Sequence, residues 1–165
     1  MSQSAFIEQH ASVMRVRDAL AAHGIVDRIV VLPDSARTAQ IAADALGCKV
    51  AQIANSLVFR LMTSNQALLV LSSGAKRVDM KRLVSVTAEP VGKADATFVR
   101  DSTGFVIGGV APVGHTQPLR RLVERSLFAF GEIWAAAGHP HTVFRLTPDE
   151  LVRITGAEIV DVAET

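Results

Sequence analysis

Four of the chain's eleven glycines fall within the thirteen residues Thr103–His115. No other stretch restricts the backbone so strongly. Gly104 and Gly108 bracket Phe105-Val106-Ile107, an apolar triplet whose pattern predicts a short buried strand. Gly108-Gly109 then removes two side chains in succession and lets another molecule come close to the main chain. Pro112 fixes one torsion and removes one amide donor, which stiffens the end of the loop. A rigid loop of bare peptide groups can turn a tight corner in a β-rich domain. It can also hold a carbonyl or an oxyanion through backbone N–H groups. On glycine spacing alone the corner is the simpler explanation.

The rest of the composition sets bounds on both. A chain of 165 residues is expected to form one domain over 1–165, with an amino-terminal helix at about 4–23. Such a domain buries about 70% of its unfolded surface and needs no disulfide or metal staple. Hydrophobic residues at 49% against 20% charged indicate an ordered globular chain. With no Tyr and one Trp, base-stacking platforms for single-stranded RNA are poorly supplied. A net charge of +1 excludes a general nucleic-acid coat, and DNA is not an expected partner. Basic residues cluster locally at Lys76, Arg77, Lys81 and Arg82, and again at Arg120, Arg121 and Arg125. A lone cysteine, Cys48, forbids an intramolecular disulfide and fits a reducing cytoplasm. No charged-then-apolar leader and no apolar run of spanning length is present, so no membrane partner is expected.

Apolar spacing at Val13, Val16, Ala19 and Leu20 predicts a helix over Ser4–His23, stopped by Gly24. Ile29–Leu32 reads as a strand ended by Pro33-Asp34-Ser35, and Thr38–Leu46 as a small-residue helix closed by Gly47. Val50–Ile53 reads as a turn or helix start. Leu57-Val58-Phe59 and Ala67–Leu71 are strands about a Ser64-Asn65 turn. Helices are expected at Val78–Val84 and Ala94–Ser102, and strands at Arg120–Glu124, Thr142–Leu146 and Ile159–Val162. Thr147-Pro148-Asp149-Glu150 has an N-cap, a first-turn proline and a capping-box glutamate, and Gly156 ends that helix. Strands and helices mix without regular alternation, which argues for an α+β fold.

Few residues offer chemistry. His139 and His141 flank Pro140 but lack further ligands at metal spacing. His115 ends the glycine loop, where it could carry a proton or brace the loop. No nucleophile triad, P-loop or dinucleotide fingerprint occurs, because Gly104-x-x-x-Gly108-Gly109 lacks the Gly-x-Gly core.

Three blocks taken together resemble the YbaK/EbsC family, free-standing relatives of the editing domain of bacterial prolyl-tRNA synthetases. They are Ala36–Gly47, Gln52–Arg60, and Ser102–His115 with its Gly108-x-x-x-Pro112 loop. Phe144–Leu151 resembles the usual ending, and the likeness runs from about Val31 to Val162. The resemblance implies a curved, partly barrel-like mixed β-sheet surrounded by short helices. It implies trans-editing: hydrolysis of the ester joining a wrong amino acid to the 3′ end of a tRNA, with no cofactor and no metal. The implied partners are aminoacyl-tRNA and a cognate aminoacyl-tRNA synthetase. Carried onto this chain, the resemblance makes Asn55, Gly108, Gly109 and His115 the catalytic candidates. Thr38, Ser56, Arg60, Thr103, Gly104, Val110, Ala111, Pro112 and Gly114 become candidates for substrate binding.

This activity suits the composition. An aminoacyl ester is already activated, so orientation of water and oxyanion stabilisation can suffice. A synthetase pocket separates side chains differing by a methylene by only about 1–3 kcal/mol, which makes a second sieve useful. One departure stands out: most members carry lysine where this chain has Asn55. The amide donates and accepts hydrogen bonds but brings no charge. Three outcomes stay open on this basis: a deacylase with different substrate chemistry, a deacylase in which a nearby cation compensates, or a relative that binds charged tRNA or a synthetase without cleaving.

Overall fold

Ala67–Ser73 forms strand β3, and all seven of its residues are buried. A strand buried on both faces needs a neighbour on each edge and a packed layer on each side. Its neighbours are β2 (Ile53–Leu61), antiparallel, and β5 (Arg120–Glu124), parallel. Leu69 and Leu71 face one layer, and Leu68 and Val70 the other. The computed structural model describes residues 2–33 and 38–165. Asp34, Ser35, Ala36 and Arg37, which fall in the expected strand end and the first family block, lie outside the described residues.

The sheet extends from this centre. β8 (Glu158–Val160) runs parallel to β5, and β6 (Ile133–Ala136) runs parallel to the start of β2. β7 (Thr142–Leu146) and β1 (Ile29–Val31) follow in antiparallel sense, giving the order β1-β7-β6-β2-β3-β5-β8. A short β4 (Val91–Lys93), not expected from the sequence, pairs with the end of β2. The α+β class and the mixed sheet agree with expectation.

Helices cover both faces. α2 (Ala11–Ala21) buries Val13, Val16 and Leu20, the last two in the layer that holds Leu69, Leu71 and Phe144. α4 (Met80–Thr87) places Leu83 on the opposite face, against Leu61, Leu68 and Val70. α3 (Ala39–Leu46) brings Ala42 and Ala43 against Ile53 and Val143. α5 (Ala96–Thr103) leads into the glycine loop, and α6 (Pro148–Thr155) has the expected capping box.

Two expectations are corrected. The single helix over Ser4–His23 is two, α1 (Gln3–Glu8) and α2, because His10 intervenes as an N-cap. Its Nδ1 accepts the Ser12 amide at 3.2 Å, which starts a new helix. The buried strand at Phe105–Ile107 is a turn. Phe105 is buried, but Val106 and Ile107 are exposed. Gly104 (φ +80) ends α5 and Gly108 (φ +89) reverses the chain, so no extended triplet fits between them.

Candidate functional site

The site begins as a gap in the sheet. Along one edge β2 pairs with β3 over almost its whole length. Along the other it pairs with β6 at Ile53–Ala54 and with β4 at Phe59–Leu61. Nothing among the described residues pairs with the stretch between. The ladder shows which groups are left over. The Gly74 amide donates to Ile53 O at 2.8 Å and the Leu61 amide to Gln66 O at 2.9 Å, so odd-numbered residues of β2 bond to β3. Even-numbered residues turn the other way, as the Met62 amide does to Pro90 O at 2.9 Å. Ser56 therefore directs its amide and carbonyl into the gap, and Val58 directs its amide the same way. The Ser56 hydroxyl is shielded from solvent and has no hydrogen-bond partner among the described residues. An unpaired buried hydroxyl of this kind costs about 1–3 kcal/mol.

A cavity of about 240 Å³ opens at this gap. Thr38, Ala39 and Ala42 of α3 and its cap form one wall, and Trp134, Thr142 and Val143 of β6 and β7 another. Asn55 and Ser56 come from β2, and Ile107, Gly108 and Val110 from the glycine loop. Small alanines of α3 leave the room that larger side chains would fill. Asn55 makes no side-chain hydrogen bond with any described residue, so its amide is available to a ligand. No acid, base or cation lines the cavity among the described residues.

The two loop glycines differ. Gly108 lines the cavity, and no described residue accepts its amide. The Gly109 amide is already used, donating to Val106 O at 3.0 Å. A Cβ on Gly109 would stand 3.0 Å from the His139 main chain, so its bareness serves close packing on the β6–β7 turn. Gly109 and His115 do not line the cavity.

His115 has both ring nitrogens engaged. Nε2 lies 2.7 Å from Ala111 O, and Nδ1 lies 2.8 Å from an Arg121 Nη. A carbonyl only accepts and a guanidinium only donates, so the ring is neutral with its proton on Nε2. Burial, and then the positive Arg121, depress its pKa from 6.5 to about 4. This histidine braces the loop; no free nitrogen is left to exchange a proton.

The other candidates separate in the same way. Val110 and Ser56 line the cavity, as does Thr38, although its hydroxyl also caps α3 by accepting the Ile41 amide at 3.2 Å. Thr103 is fully buried and donates to Val99 O at 2.7 Å. Ala111 and Pro112 are buried beneath the loop. Gly104 and Gly114 lend their carbonyls to Arg15. Arg60 is drawn away from the cavity, with Nε at 2.6 Å from Asn65 Oδ1 and its guanidinium over Phe98.

Arg15 belongs to no motif, yet it holds the loop in place. From α2 it donates through Nε to Gly114 O and through a terminal nitrogen to Gly104 O, both at 2.8 Å. Its guanidinium also lies 4.6 Å from the Phe105 ring centre. One side chain thus ties the two ends of the glycine loop to the sheet's helical cover. A charged hydrogen bond of this type contributes about 1.5–3 kcal/mol. The sequence offers no motif for it: Arg15 stands between Met14 and Val16, at the edge of the face that buries Val13, Val16 and Leu20.

Comparison with known proteins fits this geometry. A sequence profile of the aminoacyl-tRNA editing domain matches residues 33–154. A solved structure of a candidate trans-editing enzyme for prolyl tRNA synthetase superposes with a TM-score of 0.88 at 42% identity, over 94% of this chain and 98% of that one. Hypothetical protein APE2540 superposes with a TM-score of 0.84 at 28% identity, over 91% of this chain and 99% of that one. The uncharacterized protein YwhH of Bacillus subtilis (strain 168) is 28% identical over 131 residues, 79% of this chain and 83% of YwhH. With the profile spanning most of its length, the chain belongs to the YbaK-type aminoacyl-tRNA editing family.

Proposed function

We propose that the protein is a trans-acting aminoacyl-tRNA deacylase, with charged tRNA as substrate and a cognate synthetase as its source. One observation carries this: Asn55, Ser56 and Gly108 converge on a single cavity at the break in the sheet. The ester carbonyl sits at the Gly108 amide, with the Ser56 amide as a second donor across the gap. Donors held in place before reaction stabilise the oxyanion without reorganisation. The Asn55 side chain accepts a hydrogen bond from the substrate's α-amino group or donates one to the terminal ribose. Water attacks the carbonyl carbon, and the bond to the ribose oxygen breaks. The water's proton reaches that oxygen through the neighbouring ribose hydroxyl, leaving free amino acid and uncharged tRNA. His115 and Gly109 support the loop and take no part in bond making.

The test is hydrolysis of alanyl-, cysteinyl-, seryl- and threonyl-tRNA. Turnover of at least one above its spontaneous rate is expected. Decay at the spontaneous rate for every member of the panel overturns the proposal.

A second reading, binding without cleavage, draws on the lack of a cation among the described cavity residues. Asn55→Lys separates the two. A loss of hydrolysis in the variant means that Asn55 already serves the reaction. A large gain from an inactive wild type means that the natural protein holds its ligand only.

A further inference from the structure

Asn55 does not stand alone on its face of the sheet. It pairs with Ser72 across the β2–β3 ladder, and residues directly opposite in antiparallel strands carry their side chains on one face. β3 and β5 are in register at Leu71 and Val123, so the next step sets Ser72 beside Glu124. Alternation agrees. Leu57, Val70 and Leu122 share one buried layer, and Asn55, Ser72 and Glu124 each stand two residues away on the same strands. Glu124 also pairs with Val160 of that layer. A row of three polar side chains therefore crosses three strands and ends at the cavity.

The two inner members are buried, Ser72 and Glu124 each being 1% exposed. The Ser72 hydroxyl has no hydrogen-bond partner among the described residues. Glu124 Oε2 accepts from the Ser126 amide and hydroxyl, which caps the short 3-10 helix Arg125–Ala129. Oε1 accepts from no described residue. Capping needs one oxygen and no burial, so it leaves the second oxygen unexplained. We propose that Glu124 and Ser72 are positioning residues that orient the Asn55 carboxamide, an inference that rests on the proposed substrate class. A hydroxyl has one proton to donate, and a carboxylate only accepts. Turned toward Oε1, the Ser72 hydroxyl gives its proton to Glu124 and offers its lone pairs to Asn55 Nδ2. That directs Asn55 Oδ1 into the cavity. The polarity of the row thus selects an acceptor for the substrate's ammonium group over a donor for its ribose. An ammonium is costly to bury without acceptors, and no carboxylate lines the cavity among the described residues.

Trp134, the chain's one tryptophan, lines the cavity, so its fluorescence reports occupancy. The probes are alaninamide with its amine protonated and lactamide, its hydroxyl counterpart. Neither has an ester to lose. The wild type is expected to bind alaninamide about tenfold more tightly, because a charge-assisted hydrogen bond is roughly twice as strong as a neutral one. Ser72→Ala removes only an unpaired hydroxyl, so it should fold, and the preference should drop to about threefold or less. Glu124→Gln keeps an oxygen for the cap, but its new amide donates to Ser72 and reverses the row. The preference should then vanish. Adding Asn55→Asp to Glu124→Gln presents an acceptor at both ends of Asp and should restore it, a rescue that a purely structural role does not produce. In hydrolysis, Ser72→Ala should raise KM about three- to tenfold with kcat little changed, as loss of uniform binding requires. Equal binding of the two amides by the wild type overturns the inference. So does an unchanged preference in folded Ser72→Ala, or no rescue of folded Glu124→Gln. A preference that depends on Ser72 without hydrolysis of any charged tRNA leaves the positioning role standing and removes the deacylase reading. Hydrolysis with a preference indifferent to Ser72 does the reverse.

Discussion

Gly108 and Gly109 are neighbours with different physical duties, and substitution separates them. Alanine at Gly109 forces a Cβ to 3.0–3.1 Å from three main-chain atoms of His139. Destabilisation of about 1–3 kcal/mol is expected in urea unfolding. Gly131→Ala, which meets nothing within 4 Å, should change stability by less than about 0.5 kcal/mol in the same assay. Alanine at Gly108 meets only Pro140, at 3.9 Å, but must hold φ near +89. Its cost is backbone strain at the cavity, so activity should fall further than stability. His115 gives a pH signature. Its folded pKa of about 4 lies below the unfolded 6.5, so the unfolded chain binds the proton more readily. Stability is full above pH 6.5, falls as pH drops from 6.5 toward 4, and levels below. The total is up to about 3 kcal/mol, and His115→Gln should flatten that limb in urea midpoints measured against pH.

Among elements, the pair α1–α2 is structurally tied to the loop although it precedes the span matched by the family profile. Arg15→Ala should remove two charged hydrogen bonds and the contact with Phe105, destabilising by about 2–4 kcal/mol. Amide exchange across Gly104–His115 should quicken in this variant. Lysine should not restore protection, because one ammonium cannot reproduce the planar fork that reaches both carbonyls. Local signals made the helices legible. Thr147, Pro148 and Glu150 set the start of α6, and Gly47, Gly104 and Gly156 end their helices with positive φ. The turn at Phe105–Ile107 is illegible because its apolar triplet follows a strand pattern, while the positive φ of Gly104 and Gly108 that prevents extension is set by the folded loop, whose ends Arg15 holds from far away in sequence. The pairing of β2 with β6 across a comparable separation leaves no local trace either. Family blocks could mark Asn55 and Gly108, but the gap between them is a property of the assembled sheet.

At the scale of the whole molecule, charge bears on how the proposed substrate would be held. The net charge is +1, and several cations are already paired: Arg82 with Asp79 and Asp161, Arg120 with Glu158, and Arg145 with Glu132. Among the described residues these pairings leave little for a long electrostatic track, so the proposed deacylase is expected to grip mainly the 3′ end of its tRNA. A charged acceptor-stem minihelix should therefore be hydrolysed with a KM within about tenfold of the full tRNA. A much weaker minihelix would show that the body of the tRNA is gripped elsewhere.

The gap in β2 also has a bearing on solubility. Unpaired strand edges recruit other strands, and sheet proteins normally guard them. Here the guard is the glycine loop, whose Ile107, Gly108 and Val110 face Ser56 and Leu57 across the opening. If Arg15 lets that cover lift, the raw edge becomes a template for a second chain. Concentration-dependent clumping of the Arg15→Ala protein would be the visible sign.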